Sequence, residues 1–234
     1  STQRLVWQPD TCSLSLFDAN EFWHLLGSRR ILFLGDSLIQ QFFKNIACQL
    51  EASGAGQVNL QRFSVSSPKR FKPKGGKLQY LFTAFLFDCV ECDKKLSNWN
   101  YEMSTNVEID FEKMPKYTEK LFDKQANQTV LFVSVGAWFS AWVMKSYHLL
   151  RAKNNDDNQL ISQTIQTFHK AIDLFFENIL TKFKGKVVIV AIPPAHQSCN
   201  SNLKSNEKLL KLYMWEYRVE FNEYLKLKAD NANY

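Results

Sequence analysis

Three apolar runs, each closed by glycine or proline and each divided from the next by segments with helical spacing, constrain this chain more than any other feature. The first is Ile31-Leu32-Phe33-Leu34, stopped at Gly35. The second, Thr129-Val130-Leu131-Phe132-Val133-Ser134-Val135, stops at Gly136, and the third, Lys186-Val187-Val188-Ile189-Val190-Ala191-Ile192, stops at Pro193-Pro194. Runs that are apolar at both odd and even positions need strands covered on both faces. Between the second and third, Ile161, Ile165, Phe168, Ile172, Phe175, Ile179 and Phe183 step by three or four, which predicts a long amphipathic helix over 160–183. Leu38 to Leu50 also runs near helical spacing. Strands alternating with helices predict an α/β fold, a three-layer α/β/α sandwich around a mainly parallel central sheet.

The remaining segments fit one domain over 1–234. At 234 residues and 45% hydrophobic the chain can bury a full core, and neither a linker nor a repeat divides it. Asp18 is expected to cap a short helix carrying Phe22, Trp23, Leu25 and Leu26. A strand is expected from Val58 to Val65, a buried one from Leu78 to Phe87, a polar surface excursion from Asp93 to Lys116, and a final helix from Leu209 to Tyr224. Among the histidines, His24 and His169 read as structural. The chain opens on Ser1 and ends in a polar tail, and is expected to be a fragment or processed form. No stretch approaches about 20 apolar residues, so any membrane anchor would lie outside it.

Charge and cysteine usage limit the function classes. The net charge of +6 is modest, and the basic cluster Pro68 to Lys77 reads as a solvated loop, or more sharply as a contact for an anionic glycan or nucleotide. No RNA-binding motif or zinc-like Cys/His array accompanies it, so nucleic acid is not expected as a partner. Cys89 and Cys92 have redox or metal spacing, but no second pair completes a site and no metal is expected. The five cysteines suit either compartment, and Asn127-Gln128-Thr129 is a glycosylation sequon that matters if the chain is secretory.

Ligands of open parallel sheets collect at the carboxyl ends of the strands. That rule brings together Gly35-Asp36-Ser37, Gly136-Ala137-Trp138-Phe139 and the loop Pro193-Pro194-Ala195-His196. Ser37 is the candidate nucleophile, expected to cap the helix that follows it, where free N–H groups and the helix dipole favour an oxyanion. Gly35, Asp36, Gly136 and Trp138 are expected to line the site. His196 is a candidate base, since a serine hydroxyl needs one.

Trp7-Gln8-Pro9-Asp10-Thr11-Cys12-Ser13-Leu14, Phe17-Asp18-Ala19, Arg30 to Leu38 and Cys48-Gln49-Leu50 resemble, in order and spacing, the plant trichome-birefringence-like polysaccharide O-acetyltransferases. More widely the chain is similar to the PC-esterase branch of the GDSL/SGNH hydrolase-like superfamily. Val133 to Phe139 resembles that family's Gly-His-Trp-Trp segment, and Ile192 to His196 its Ser-Pro-x-His segment. The resemblance implies an SGNH-hydrolase-like fold and a Golgi-luminal or secreted setting with disulfides. It also implies acetyl transfer to a glycan hydroxyl through an acyl-serine at Ser37. No cofactor is implied; the acetyl donor, such as acetyl-CoA, enters as substrate, and the partner is a polysaccharide or glycan acceptor. A carbohydrate acetyl esterase and a non-catalytic glycan-binding protein are the alternatives. The chain departs from the pattern at Gln40-Gln41-Phe42, where the plant enzymes have Arg-Asn-Gln, and at Ala137, where they have His. The family's Asp-x-x-His, which supplies the base and its orienting carboxylate, is absent from these residues and is expected beyond Tyr234.

Overall fold

A computed structural model describes residues 17–59, 64–67, 76–83, 86, 115, 117–146, 149–150, 156–193 and 211–232. Its elements are α1 (Ala19–Leu26), β1 (Arg30–Gly35), α2 (Ser37–Ala52), β2 (Gln57–Asn59), β3 (Ser64–Ser66), β4 (Lys77–Phe82), α3 (Thr118–Leu121), β5 (Thr129–Ser134), α4 (Ala141–Ser146), α5 (Asp157–Leu174), β6 (Lys186–Ile189) and α6 (Arg218–Asn231). Six strands form one sheet in the order β2-β3-β4-β1-β5-β6. The four from β4 to β6 are mutually parallel, while β2 and β3 pair antiparallel. The fold is therefore the α/β class that the alternation predicts and the SGNH-like one that the resemblance implies.

Each strand face has its own core because side chains alternate across a strand. Phe33 of β1 packs with Trp23 of α1, Phe43 of α2 and Tyr80 of β4, whereas Leu32 and Leu34 join the cluster of Phe168, Ile172 and Phe221 from α5 and α6. Phe168 lies edge-on to Phe139 at 5.0 Å and stacks on Phe221 at 4.0 Å. Burying such a ring contributes about 1.5–3 kcal/mol, so these contacts fix α5 and α6 against one face of the sheet.

Helix starts follow the local chemistry. Asp18 accepts from the N–H groups of Asn20 and Glu21 at 2.7 and 2.9 Å, and Asp156 accepts from Asn158 and Gln159 at 2.9 and 3.3 Å. The stripe from Ile161 to Phe183 forms as its spacing predicts, with Phe168, Ile172, Phe175, Ile179 and Phe183 buried. A π-turn at Phe175–Ile179 widens the helix there, and Phe176 and Leu180 join the core as well.

Four expectations need correction. The segment from Val58 to Val65 contains two strands rather than one, β2 and β3, with Val58 facing Val65 in an antiparallel pair. The strand expected to Phe87 ends at Phe82, and the third apolar run is strand only to Ile189. The final helix does not run unbroken from Leu209: Met214 has φ +56, and α6 begins at Arg218. That break sets the Met214 sulfur 3.2 Å from the Ala141 N–H, which it accepts.

Candidate active site

The site is built on the junction of β1 and α2. Gly35 has φ +148, and a Cβ on it would stand 1.9 Å from the carbonyl oxygen of Ser134, its β5 partner. Only glycine lets β1 turn there while keeping its register. The Gly35 carbonyl accepts from the Thr83 N–H at 3.0 Å and from the Tyr80 hydroxyl at 3.2 Å. Tyr80 also donates to the Asp36 carbonyl at 3.3 Å. The turn that presents Ser37 is thus braced from β4.

Asp36, and not Ser37, caps α2. One carboxylate oxygen of Asp36 accepts from the Leu38 N–H at 2.9 Å, and Ser37 is the first residue of the helix, half-buried. The aspartate carboxylate reaches the second helical N–H, so the cap does not consume the serine hydroxyl. The other Asp36 oxygen accepts from the Ala137 N–H at 3.2 Å, tying the β1 turn to the β5 turn. Asp36 is 1% exposed. Burial pushes its carboxyl up from the usual 3.8 to about 6, against the N–H groups of Leu38 and Ala137, the positive charge of Arg218 and the Gly136 N–H, all of which favour the ion.

The β5 turn is equally constrained. Gly136 has φ +132, and a Cβ there would lie 2.1 Å from the Ile192 side chain, so the turns after β5 and β6 touch at this glycine. Phe139 returns a hydrogen bond to the Gly136 carbonyl at 3.1 Å and points into the core, leaving Trp138 half-exposed. Gly35, Asp36, Ser37, Gly136 and Trp138 therefore belong to two turns brought together at one sheet edge. His196 lies outside the described residues. His24 sits on the exposed side of α1, and His169 stacks on Tyr224 of α6 at 3.9 Å.

Two residues of α6 complete the edge, and the sequence reading did not single them out. The Asn222 side chain grips Ile192 on both sides, accepting from its N–H at 2.8 Å and donating to its carbonyl at 2.9 Å. One turn earlier, Arg218 donates to the Pro193 carbonyl at 3.1 Å. Arg218 is the first residue of α6, where the dipole disfavours a cation. Burial lowers its pKa and the Asp36 charge raises it again. The sequence predicts a helix from Leu209, which puts Arg218 in its middle, so no sequence signal marks it.

Among the described residues no group of three or more His, Cys, Asp or Glu is placed to hold a metal ion. Nor is any described helix long and apolar enough to cross a membrane. Cys48 is an exposed free thiol on α2, and the other four cysteines lie outside the described residues.

A mainly parallel sheet with a Gly-Asp-Ser turn opening the helix after β1 is a GDSL/SGNH-like arrangement. The chain belongs to the PC-Esterase family, described as the GDSL/SGNH-like acyl-esterase family found in Pmr5 and Cas1p, whose model matches residues 14–222. Among curated proteins it is similar to Protein trichome birefringence-like 40 of Arabidopsis thaliana, 32% identical over 90 residues, which is 38% of this chain and 25% of that protein. It is also similar to two rice proteins (Oryza sativa subsp. japonica). Probable xylan O-acetyltransferase 11 is 36% identical over 74 residues, 31% of this chain and 19% of that protein. Xylan O-acetyltransferase 7 is 36% identical over 64 residues, 27% of this chain and 11% of that protein. The match spans a quarter or less of the length of these relatives.

Proposed function

We propose that this chain carries the nucleophile of an O-acyltransferase that moves an acetyl group onto a polysaccharide hydroxyl through acyl-Ser37. The observation that carries the reading is the place of Ser37, first in α2 at the carboxyl edge of β1, in a turn held by Asp36 to the Ala137 N–H. The names of the rice relatives support the glycan acceptor.

In the first half-reaction a base removes the Ser37 proton as the hydroxyl oxygen attacks the acyl carbonyl. Helix geometry leaves the N–H groups of Ser37 and Ile39 without intrahelical acceptors, and they face the charge that develops on the carbonyl oxygen, at about 3 kcal/mol per donor. The donor's leaving group departs with the proton, and Ser37 holds the acetyl as an ester. In the second half-reaction the same base takes a proton from a sugar hydroxyl, whose oxygen attacks that ester and frees Ser37. The base is assigned to the family's Asp-x-x-His in the full chain, with His196 as the second candidate. Gly35, Asp36, Gly136 and Trp138 shape the site.

The reading places the protein in the secretory pathway, with its anchor, if it has one, outside these residues. In that compartment the sequon at Asn127, exposed in the turn before β5, is open to glycosylation. The test is a labelled acetyl donor offered to the full chain with xylan. Label in the polysaccharide that disappears with Ser37→Ala supports the transferase. Label released only as free acetate makes the site an esterase, and neither outcome, with glycan still bound, leaves a non-catalytic glycan-binding protein.

A further inference from the structure

Beside Ser37 an open groove of about 500 Å³ runs between α2 and the last residues of β5 and β6. Its wall is one face of α2, formed by Leu38, Gln41, Phe42 and Asn45 at helical spacing and starting one residue after the nucleophile. Phe132 and Val190 lie opposite that wall, and Pro193, whose carbonyl accepts from Arg218, also lines the groove. From Ser37 to Asn45 the helix rises about 12 Å, so the groove leads away from the acyl position for more than the length of one sugar ring.

Three features identify what it takes. Phe42 is 46% exposed, yet its ring is fixed, edge-on to Phe33 at 5.8 Å and 6.4 Å from Phe132. An aromatic face left open and held in place by other rings suits a ligand with positively polarised C–H groups on one side. Gln41 and Asn45 stand on the same helix face and offer amide donors and acceptors to hydroxyl groups. Among the described residues that line it none carries a charge, although the chain as a whole is at +6. Along the α2 wall a uronate or a phosphate would find no counter-ion among the described lining residues, Arg218 standing at the Pro193 end, whereas an uncharged pyranose presents an apolar face and neutral hydroxyls to Phe42, Gln41 and Asn45.

We propose that this groove is the acceptor subsite, binding a neutral glycan by stacking a pyranose ring on Phe42 and hydrogen-bonding its hydroxyls to Gln41 and Asn45. The inference rests on Ser37 being the nucleophile, since that gives the groove its direction. It also explains a sequence departure: Gln41 and Phe42 fall where the resembling plant enzymes have Asn and Gln, so this chain reads its acceptor with a different wall.

The test titrates the full chain with a neutral β-1,4-xylo-oligosaccharide and, in parallel, with an oligogalacturonate. The readout is the NMR signals of the Gln41 and Asn45 side-chain amides and of the Phe42 ring. Saturable shifts of all three with the neutral sugar only are expected, together with a Kd weakened about tenfold by Phe42→Ala and largely retained by Phe42→Trp. Phe122→Ala, which removes a ring 39% exposed just before β5 at the opposite edge of the sheet, should leave the Kd unchanged. A thermal unfolding scan of each variant establishes that it is folded. The proposal is overturned if the three signals stay put, as they would where polypeptide covers Phe42 in the full chain, if Phe42→Ala binds as wild type does, or if the anionic sugar binds equally well. Labelling of Ser37 by a fluorophosphonate on the same preparation separates the two readings. Labelling without sugar shifts sinks the subsite alone, and sugar shifts without labelling sink the acyl-serine and keep the groove as a glycan site.

Discussion

Asp36→Asn separates the two roles that the buried carboxylate plays. Moving the Asp36 carboxyl from 3.8 to about 6 corresponds to about 3 kcal/mol between its protonated and ionised states. Because the folded pKa lies above the unfolded one, the native state binds the proton more tightly between those values. The contribution is therefore full below about 3.8 and is lost as pH rises through about 6. Asparagine does not titrate. Its NH2 group cannot accept from Ala137, so at pH 4 the variant should be less stable than wild type by about 1–2 kcal/mol. By pH 7.5 the wild type has lost about 3 kcal/mol that the variant has not, and the order should reverse. Urea unfolding of both proteins at half-unit steps from pH 4 to 7.5 measures this directly. A stability difference that stays flat, or that grows in favour of wild type as pH rises, refutes the argument. The account also expects the variant, though more stable at pH 7.5, to react more slowly at Ser37, since the tie to Ala137 is weakened.

Gly35→Ala should unfold the protein or cost about 4 kcal/mol or more, because strain at φ +148 adds to a 1.9 Å approach to the Ser134 oxygen; Gly54→Ala, at φ +64 in open space, should cost only about 1 kcal/mol in the same denaturation assay. Asn222→Ala leaves the Ile192 N–H and carbonyl unpaired, which should cost about 2 kcal/mol and speed amide exchange at Ile192; unchanged exchange there would show the grip to be idle. At the other end of β1, burial raises the Asp123 carboxyl, but its hydrogen bond from Arg30, the Gln125 N–H and neighbouring positive charges outweigh that and hold it below its ordinary value. Its stabilisation is thus present above the unfolded pKa of about 3.9 and lost as pH falls through the lower folded value. Asp123→Asn should cost about 1–2 kcal/mol at pH 7, a deficit that shrinks in acid and would count against the pairing if it did not.

What was legible in the sequence was what repeats locally. The stripe from Ile161 to Phe183 announced α5, and the run from Ile31 to Leu34 announced a strand buried on both faces, because each pattern is set by the period of its own element. β2 and β3 are not separable in the sequence because three-residue strands carry too few alternations to show where the chain reverses; their pairing is settled across the sheet by β4. The gathering of Gly35, Asp36 and Gly136 followed from the rule that parallel strands place their ends together. Which residue caps α2 did not, since Asp36 and Ser37 are both good caps and the choice turns on where the helix starts, one residue earlier with Asp36 accepting from the Leu38 N–H. Asn222 and Arg218 act on residues 30 and 25 positions away. No local pattern encodes such a grip, and with a helix expected from Leu209 the cation that opens α6 is not visible as one in the sequence.

The central claim is that Ser37 carries the acyl group. Mixing the full chain with an acetyl donor, quenching in acid and mapping the peptides by mass spectrometry should find one added acetyl group on Ser37 and none in Ser37→Ala, which should also fail to transfer. Acetyl mapped to another residue, or transfer by Ser37→Ala at the wild-type rate, would contradict it.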